Sequence, residues 1–178
     1  MTLEQALENS PAPSDVLVSQ RLLSIPFVDF ADEIRVGQIV VHHELAAEVA
    51  ELFRLLLIER FPIGQMTPIV AFDWNDERSM EANNCSAFNF RVKVGKSELS
   101  AHATGRALDI NPRQNPYIRG ELVLPEGANY DLEALGTLAP DSTAVTFLES
   151  RGWVWGGRWT TLKDFHHFEK PAKPPEAS

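Results

Sequence analysis

The ten residues SAHATGRALD, positions 100–109, carry the most specific pattern in the chain. His102 is one of only five histidines, and a turn containing Gly105 separates it from an apolar–polar alternation that ends on Asp109. Glycine adopts backbone conformations that other residues avoid, so the chain can bend sharply there. The alternation RALDI, residues 106–110, predicts a strand. The stretch is therefore either a surface turn before an ordinary strand or a turn that directs two ligands toward one point.

A histidine and a carboxylate on either side of such a turn are ligand types that zinc uses. A catalytic zinc site takes three protein ligands and keeps one position for water. We expect the third ligand to come from His166 or His167, and the small side chain of Ala107 leaves room beside a metal. On residue types alone, a surface or hydrogen-bonded histidine is the competing interpretation of His102.

The composition excludes several other classes of protein. The 178 residues fit one domain, and 44% hydrophobic with 23% charged residues is typical of a globular protein. A net charge of -9 argues against a nucleic-acid partner. No stretch reaches the roughly 18 consecutive apolar residues that a membrane span needs. A single cysteine, Cys85, excludes an internal disulfide.

The ends of the chain differ in character from its middle. Residues 1–15 are polar and contain proline, which predicts a loose segment, whereas the proline-rich residues 171–178 predict a disordered tail. Residues 16–170 are expected to form a single domain. The N-terminus lacks the basic start and apolar core of a secretory signal. We therefore expect either no export by a signal of its own or a leader that is missing, and the compartment stays open.

The order of predicted elements indicates an α+β fold. Leu45, Val49, Leu52, Phe53 and Leu56 recur at helical spacing within residues 43–61, and Pro62 ends that helix. Further predictions are a buried strand at 67–72, a loop at 73–84, a short helix at 142–152 capped by Asp141 or Ser142, and a last strand near 164–169. Because helices and strands do not alternate regularly, we expect a small, mostly antiparallel sheet with packed helices.

Several motifs carry a resemblance to one family. The pattern S-x-H-x-x-G-x-A-x-D at 100–109 resembles the signature of the zinc D,D-peptidases of bacterial cell walls. A second motif of that family, acid-x-x-H-F, is similar to residues 164–168. That family includes D-alanyl-D-alanine carboxypeptidases and the L-alanyl-D-glutamate endopeptidases of phage endolysins. NNCSAFNFR (83–91), DINPRQNPY (109–117) and GWVWGGRWTTLKD (152–164) are also similar to one of its branches. Together the similarity covers about residues 66–170.

The resemblance implies a hedgehog/D,D-peptidase-like zinc fold, with residues 16–170 as a zinc peptidase domain. It assigns His102, Asp109 and His167 as the zinc ligands and Asp164 as the general base. His166 is expected to flank the site, because on a strand it would point to the opposite face from His167. His42 and His43 are expected to have capping or surface roles.

Other site residues are expected in and around the NNCSAFNFR segment. Arg91 is the first candidate for the cation that stabilises the developing oxyanion, and Arg78 is the second. Ser86, Ser100 and Asn84 are expected to bind substrate or support the ligands. Cys85 and Phe90 depart from the Thr and Cys that are usual at those positions, which affects the shape of the segment more than its chemistry.

The predicted function is a monomeric zinc metallopeptidase that cuts peptidoglycan stem peptides in the manner of a D-alanyl-D-alanine carboxypeptidase. An L-alanyl-D-glutamate endopeptidase is the alternative within the family. Two alternatives belong to other classes: a non-catalytic zinc-containing binding module, against which the retained Asp164 argues, and a hydrolase with Cys85 as nucleophile. Chelator sensitivity as opposed to thiol-reagent sensitivity separates the last alternative.

Overall fold

The computed structural model describes residues 1–172, which form a mixed α and β fold with small sheets, most of them antiparallel. Residues 173–178 of the predicted tail lie outside the described residues. The helices are α1 (Leu3–Ala6), α2 (Ser14–Val18), α3 (Ala46–Ile58), α4 (Asp76–Glu81) and α5 (Thr143–Glu149). The strands are β1 (Gln20–Val28), β2 (Ile34–His42), β3 (Gln65–Met66), β4 (Asn84–Cys85), β5 (Ala107–Asp109), β6 (Tyr117–Arg119), β7 (Leu122–Leu124), β8 (Val154–Trp155), β9 (Lys163–Asp164) and β10 (His167–Glu169). This architecture is compatible with the predicted α+β class, while the hedgehog-like fold stays a prediction.

The longest helix, α3, packs against the hairpin formed by β1 and β2. Its predicted apolar stripe is confirmed, since every member from Leu45 to Leu56 is at most 2% exposed. The hairpin pairs from Gln20 opposite His42 to Val28 opposite Ile34, and it has no counterpart among the predicted strands. Its first strand, QRLLSIPFV, contains Pro26 and does not alternate cleanly between buried and exposed positions, so the period-2 signal is weak.

A second sheet, ordered β5–β10–β8, forms the floor of the site. The strands predicted at 106–110 and 164–169 are confirmed over shorter ranges. In the β5–β10 pairing, His167 lies directly opposite Asp109. Phe168 points the other way and is completely buried in the main core, because successive side chains on a strand face opposite sides.

Two predictions between residues 67 and 84 are wrong. The segment TPIVAF is not a buried strand but contains a 3₁₀ helix, Ile69–Phe72, that follows Pro68. Short apolar runs cannot be separated into strand and helix by periodicity alone. The predicted loop contains α4, which begins after Asn75, whose side chain accepts a hydrogen bond from the backbone N–H of Arg78. An asparagine in this position is a common start of a helix.

The helix predicted at 142–152 is confirmed as α5, with Ser142 as its N-cap residue and Gly152 beyond its end at φ +82°.

The first fifteen residues, expected to be loose, contain α1 and the start of α2. Ala6 and Ala12 of this segment are buried, so it contributes to a small second core. Within residues 1–172, none of the helices combines the length and apolar character that crossing a bilayer requires.

Candidate metal centre and cleft

The turn that carries His102 is a short 3₁₀ helix, Ala101–Thr104. The hydroxyl of Ser100 caps it by accepting a hydrogen bond from the N–H of His102 at 3.3 Å. Gly105 ends it at φ +68°, and the backbone enters β5 immediately afterwards. The reversal at Gly105 therefore brings His102 back beside Asp109.

Donor atoms of three buried residues converge at this point. Nε2 of His102 lies 3.0 Å from Oδ2 of Asp109 and 3.1 Å from Nδ1 of His167. Nδ1 of His167 is in turn 3.1 Å from Oδ1 of Asp109. Ligands bonded to zinc at about 2.0–2.2 Å in a tetrahedral arrangement lie about 3.3 Å apart. The donor types and their spacing therefore fit one face of a zinc coordination tetrahedron.

Contacts on the far side of each imidazole select the nitrogen that faces the centre. Nδ1 of His102 lies 2.6 Å from the carbonyl oxygen of Ala87, and Nε2 of His167 lies 3.3 Å from Oε2 of Glu169. Outer partners of this kind hold a ligating histidine in one tautomer and one orientation. Nε2 of His102 and Nδ1 of His167 are thereby left to ligate.

The charges of this cluster show what a cation would replace. Burial lowers the pKa of His167, but the carboxylates of Asp109 and Glu169 raise it to about 10. Burial opposes the charge on Asp109, yet His102, His166 and His167 hold the pKa of that carboxyl well below its usual range. A protonated His167 thus neutralises a buried carboxylate in the metal-free protein. A metal ion bound here would take over that role.

A cleft of about 280 Å³ opens above this cluster and is lined by His167, His166, Asp164 and Glu169. Nε2 of His166 lies 2.9 Å from Oδ1 of Asp164. Within residues 1–172, that carboxylate oxygen is buried without a well-aligned hydrogen bond. Burial alone would lower the pKa of His166, but Asp164 and Asp109 raise it to about 9. Asp164 is therefore a carboxylate that lines the cleft and pairs with His166 through Oδ1.

His166 lies just before β10, and it lines the same cleft as His167. Nδ1 of His166 lies 2.7 Å from the carbonyl oxygen of Asn115, and this histidine is absent from the converging ligand set. His42 and His43 stack on each other, and neither lines the cleft.

The two arginine candidates are placed differently. Arg91 lines the cleft, where its Nε lies 2.8 Å from Oδ1 of Asp76. Arg78 is exposed and pairs with Asp73 at 2.8 Å, and it does not line the cleft. The structure thus brings the first candidate, but not the second, to the predicted site.

Of the three residues expected to bind substrate, one lies in the cleft and two lie outside it. Ser100 lines the cleft. Ser86 pairs through its backbone with Asp109, and the side chain of Asn84 is buried against Thr67 and Ser79. Neither Ser86 nor Asn84 lines the cleft, and their contacts support the neighbouring backbone. Substrate binding by these residues stays a prediction.

Cys85 is completely buried in the core, and its burial raises the pKa of the thiol to about 12. A thiol of this kind is neutral at physiological pH, which argues against a nucleophilic role.

Among the tryptophans grouped near the C-terminus, Trp153 and Trp155 are buried in the core, whereas Trp159 lines the cleft with its ring 5.6 Å from that of His167.

The family model described as D-alanyl-D-alanine carboxypeptidase matches residues 94–170. The match supports the resemblance of this segment to that family. Members are generally metallopeptidases, so the match supports a peptidase acting on cell-wall peptides. Comparison with curated proteins and with solved structures gave no match to the chain.

All of His102, Asp109, Asp164 and His167 fall inside the matched carboxypeptidase segment, whereas Arg91 lies just before it. Sequence reasoning missed Glu169, which contacts His167 from the outer side. A signal was available, because residues two apart on a strand face the same side. An acid two positions after a ligand histidine is thus placed to contact it.

Proposed function

We propose that this protein is a zinc-dependent peptidase that hydrolyses amide bonds in peptidoglycan stem peptides, with the activity of a D-alanyl-D-alanine carboxypeptidase. The observation that supports it most is the convergence of His102, Asp109 and His167, whose donor atoms lie within 3.1 Å of their neighbours beneath a cleft. His102 through Nε2, His167 through Nδ1 and the carboxylate of Asp109 would hold the metal. Zinc, when bound, supplies a Lewis acid and lowers the pKa of water toward about 7.

The chain's own groups would then manage the proton. Asp164 accepts a proton from the attacking water at a carboxylate oxygen and donates it to the departing amine. Its position on the lining of the cleft beside His167 suits this role. Nε2 of His166 lies 2.9 Å from Oδ1 of Asp164 and holds that carboxylate beside the cleft.

Arg91 is a positively charged residue on the wall of the cleft. Its guanidinium would stabilise the negative charge that develops on the carbonyl oxygen during attack. Ser100 lines the same cleft and caps the turn that carries His102. A hydroxyl in that position can hold the turn and contact a bound peptide.

Mass spectrometry of purified stem peptides incubated with zinc-loaded protein tests the proposal. Loss of one terminal D-alanine is the expected product, whereas cleavage between L-alanine and D-glutamate would identify the endopeptidase instead. Asp164→Asn keeps the size of the side chain but removes the base. We expect near-normal zinc content and a kcat lowered by about 10²-fold or more.

Unchanged kcat in Asp164→Asn would remove this residue from the mechanism. Intact stem peptides after incubation with zinc-loaded wild type would favour the non-catalytic zinc module.

The proposed substrate lies outside the cytoplasmic membrane, so we further propose that the enzyme reaches it either after lysis, as a phage endolysin does, or through export with a leader. Activity on free peptides without any on isolated cell walls would contradict both routes.

A further inference from the structure

Asp76 stands beside Arg91 on the wall of the cleft. Its Oδ1 lies 2.8 Å from Nε of Arg91 and also accepts a hydrogen bond from Nδ2 of Asn89 at 3.1 Å. The side chains of Asp76 and Arg91 are each only 21% exposed. Attraction between opposite charges is stronger in such partly dehydrated surroundings than at an open surface.

The backbone around Arg91 is tied to the turn that carries His102. The N–H of Asn89 donates to the carbonyl oxygen of His102 at 3.0 Å, and the N–H of Ser100 donates to the carbonyl oxygen of Arg91 at 3.0 Å. The backbone of the 89–91 segment is thus fixed relative to the metal centre. The backbone does not determine where the long side chain of Arg91 points.

Asp76 reaches this side chain from a separate element. It lies in the first turn of α4, whose start is fixed by the side chain of Asn75. The other contact of the guanidinium, from Nη1 to the carbonyl oxygen of Val92, is longer at 3.3 Å and belongs to a neighbouring residue. The Asp76 carboxylate is therefore the charged group that holds the guanidinium from across the cleft wall.

We infer that Asp76 is a positioning residue for Arg91, holding its guanidinium in the cleft where it can stabilise the oxyanion. This inference rests on the proposed function and adds a residue to it. Asp76 acts through Arg91, and its side chain contacts Arg91 and Asn89 rather than His102, Asp109 or His167. We therefore expect that removing the charge of Asp76 lowers the rate of the chemical step and changes zinc content and folding little.

Asp76→Asn tests the inference because it keeps the shape of the side chain and removes its charge. Asp73→Asn is the matched control: Asp73 also pairs with an arginine at 2.8 Å, but that pair is exposed and lies outside the cleft. We expect Asp76→Asn to lower kcat for the stem peptide by about tenfold or more, which is part of the loss that removing an oxyanion-stabilising group produces. KM and zinc content should change little in Asp76→Asn. The kcat of the control variant Asp73→Asn should stay close to that of wild type.

A double-mutant cycle separates positioning from a general structural role. In an Arg91→Ala background, Asp76→Asn should have no more than about a twofold further effect on kcat, because the two residues act as one unit. An equal loss of kcat in both backgrounds would overturn the inference. Asp76→Glu keeps the charge and should retain more of kcat than Asp76→Asn. If Asp76→Asn does not fold, Asp76→Glu takes its place in the cycle: its extra methylene displaces the carboxylate, so kcat should fall by a smaller factor, and only when Arg91 is present.

A second readout needs no substrate. In protein labelled with ¹⁵N-arginine, the Nε–H signal of Arg91 is identified by its loss in Arg91→Lys. We expect the NMR order parameter of this N–H group to fall in Asp76→Asn, because the charged neighbour that holds the guanidinium is lost, and to stay unchanged in Asp73→Asn. Equal order parameters in wild type and Asp76→Asn would overturn the inference. Absence of stem-peptide hydrolysis by wild type would refute only the proposed function.

Discussion

Replacing Gly105 by alanine should destabilise the protein and weaken the metal centre together. Gly105 lies between His102 and Asp109 at φ +68°, a left-handed conformation that residues with a Cβ avoid. A Cβ built there would lie 2.1 Å from Oε1 of Gln20 and 2.8 Å from the backbone nitrogen of His42. Both distances are far shorter than van der Waals contact.

Neither neighbour can move aside easily. Gln20 is completely buried, and its amide nitrogen donates to Val16, Ser19 and Thr104. The N–H of His42 donates to the carbonyl oxygen of Gly105 itself at 2.9 Å. A left-handed conformation costs about 1–2 kcal/mol for an L-residue. Overpacking a tight site costs about 1–3 kcal/mol more, so we expect the free energy of unfolding to fall by about 2–5 kcal/mol.

Gly120→Ala is the matched control, because Gly120 has φ +61° but nothing within 4 Å of an added Cβ. It should lose only the conformational part, about 1–2 kcal/mol. Urea unfolding of the metal-free proteins gives both values, and zinc titration shows whether the displaced turn lowers the affinity of Gly105→Ala. If Gly105→Ala loses no more unfolding free energy than Gly120→Ala, the close approach is not a constraint on this turn.

Three further predictions concern the metal and the rival nucleophile. His102→Ala and His167→Ala should each lose stoichiometric zinc by elemental analysis; full retention in both would mean that the site is misassigned. Because the pKa of His167 is about 10 in the metal-free protein, zinc must displace a proton at pH 7, and its affinity should fall as the pH falls. Calorimetry in two buffers of different ionisation enthalpy should show release of about one proton per zinc, and no buffer dependence would contradict this. A chelator should abolish hydrolysis while iodoacetamide leaves it intact, since Cys85 is buried with a pKa of about 12; the opposite pattern would revive the cysteine hydrolase.

Elements with strong local signals could be predicted from the sequence. The stripe from Leu45 to Leu56 predicted α3, and the serine at 142 with the glycine at 152 predicted the bounds of α5. These signals are local because a helix is specified by residues three and four positions apart. The 3₁₀ helix at Ile69–Phe72 gave no such signal, since four apolar residues are too few to show a period.

The sequence by itself determined which residue types surround the turn at Gly105 and which family their spacing resembles. Tertiary structure alone decided that His167, 58 residues after Asp109, lies opposite it in the sheet. It also decided that the side chain of Asn84 hydrogen-bonds Ser79 in the interior and that Asp76 pairs with Arg91. The physical reason is that motif spacing records positions along the chain, whereas ligation, burial and ion pairing depend on distances set by strand register and helix packing.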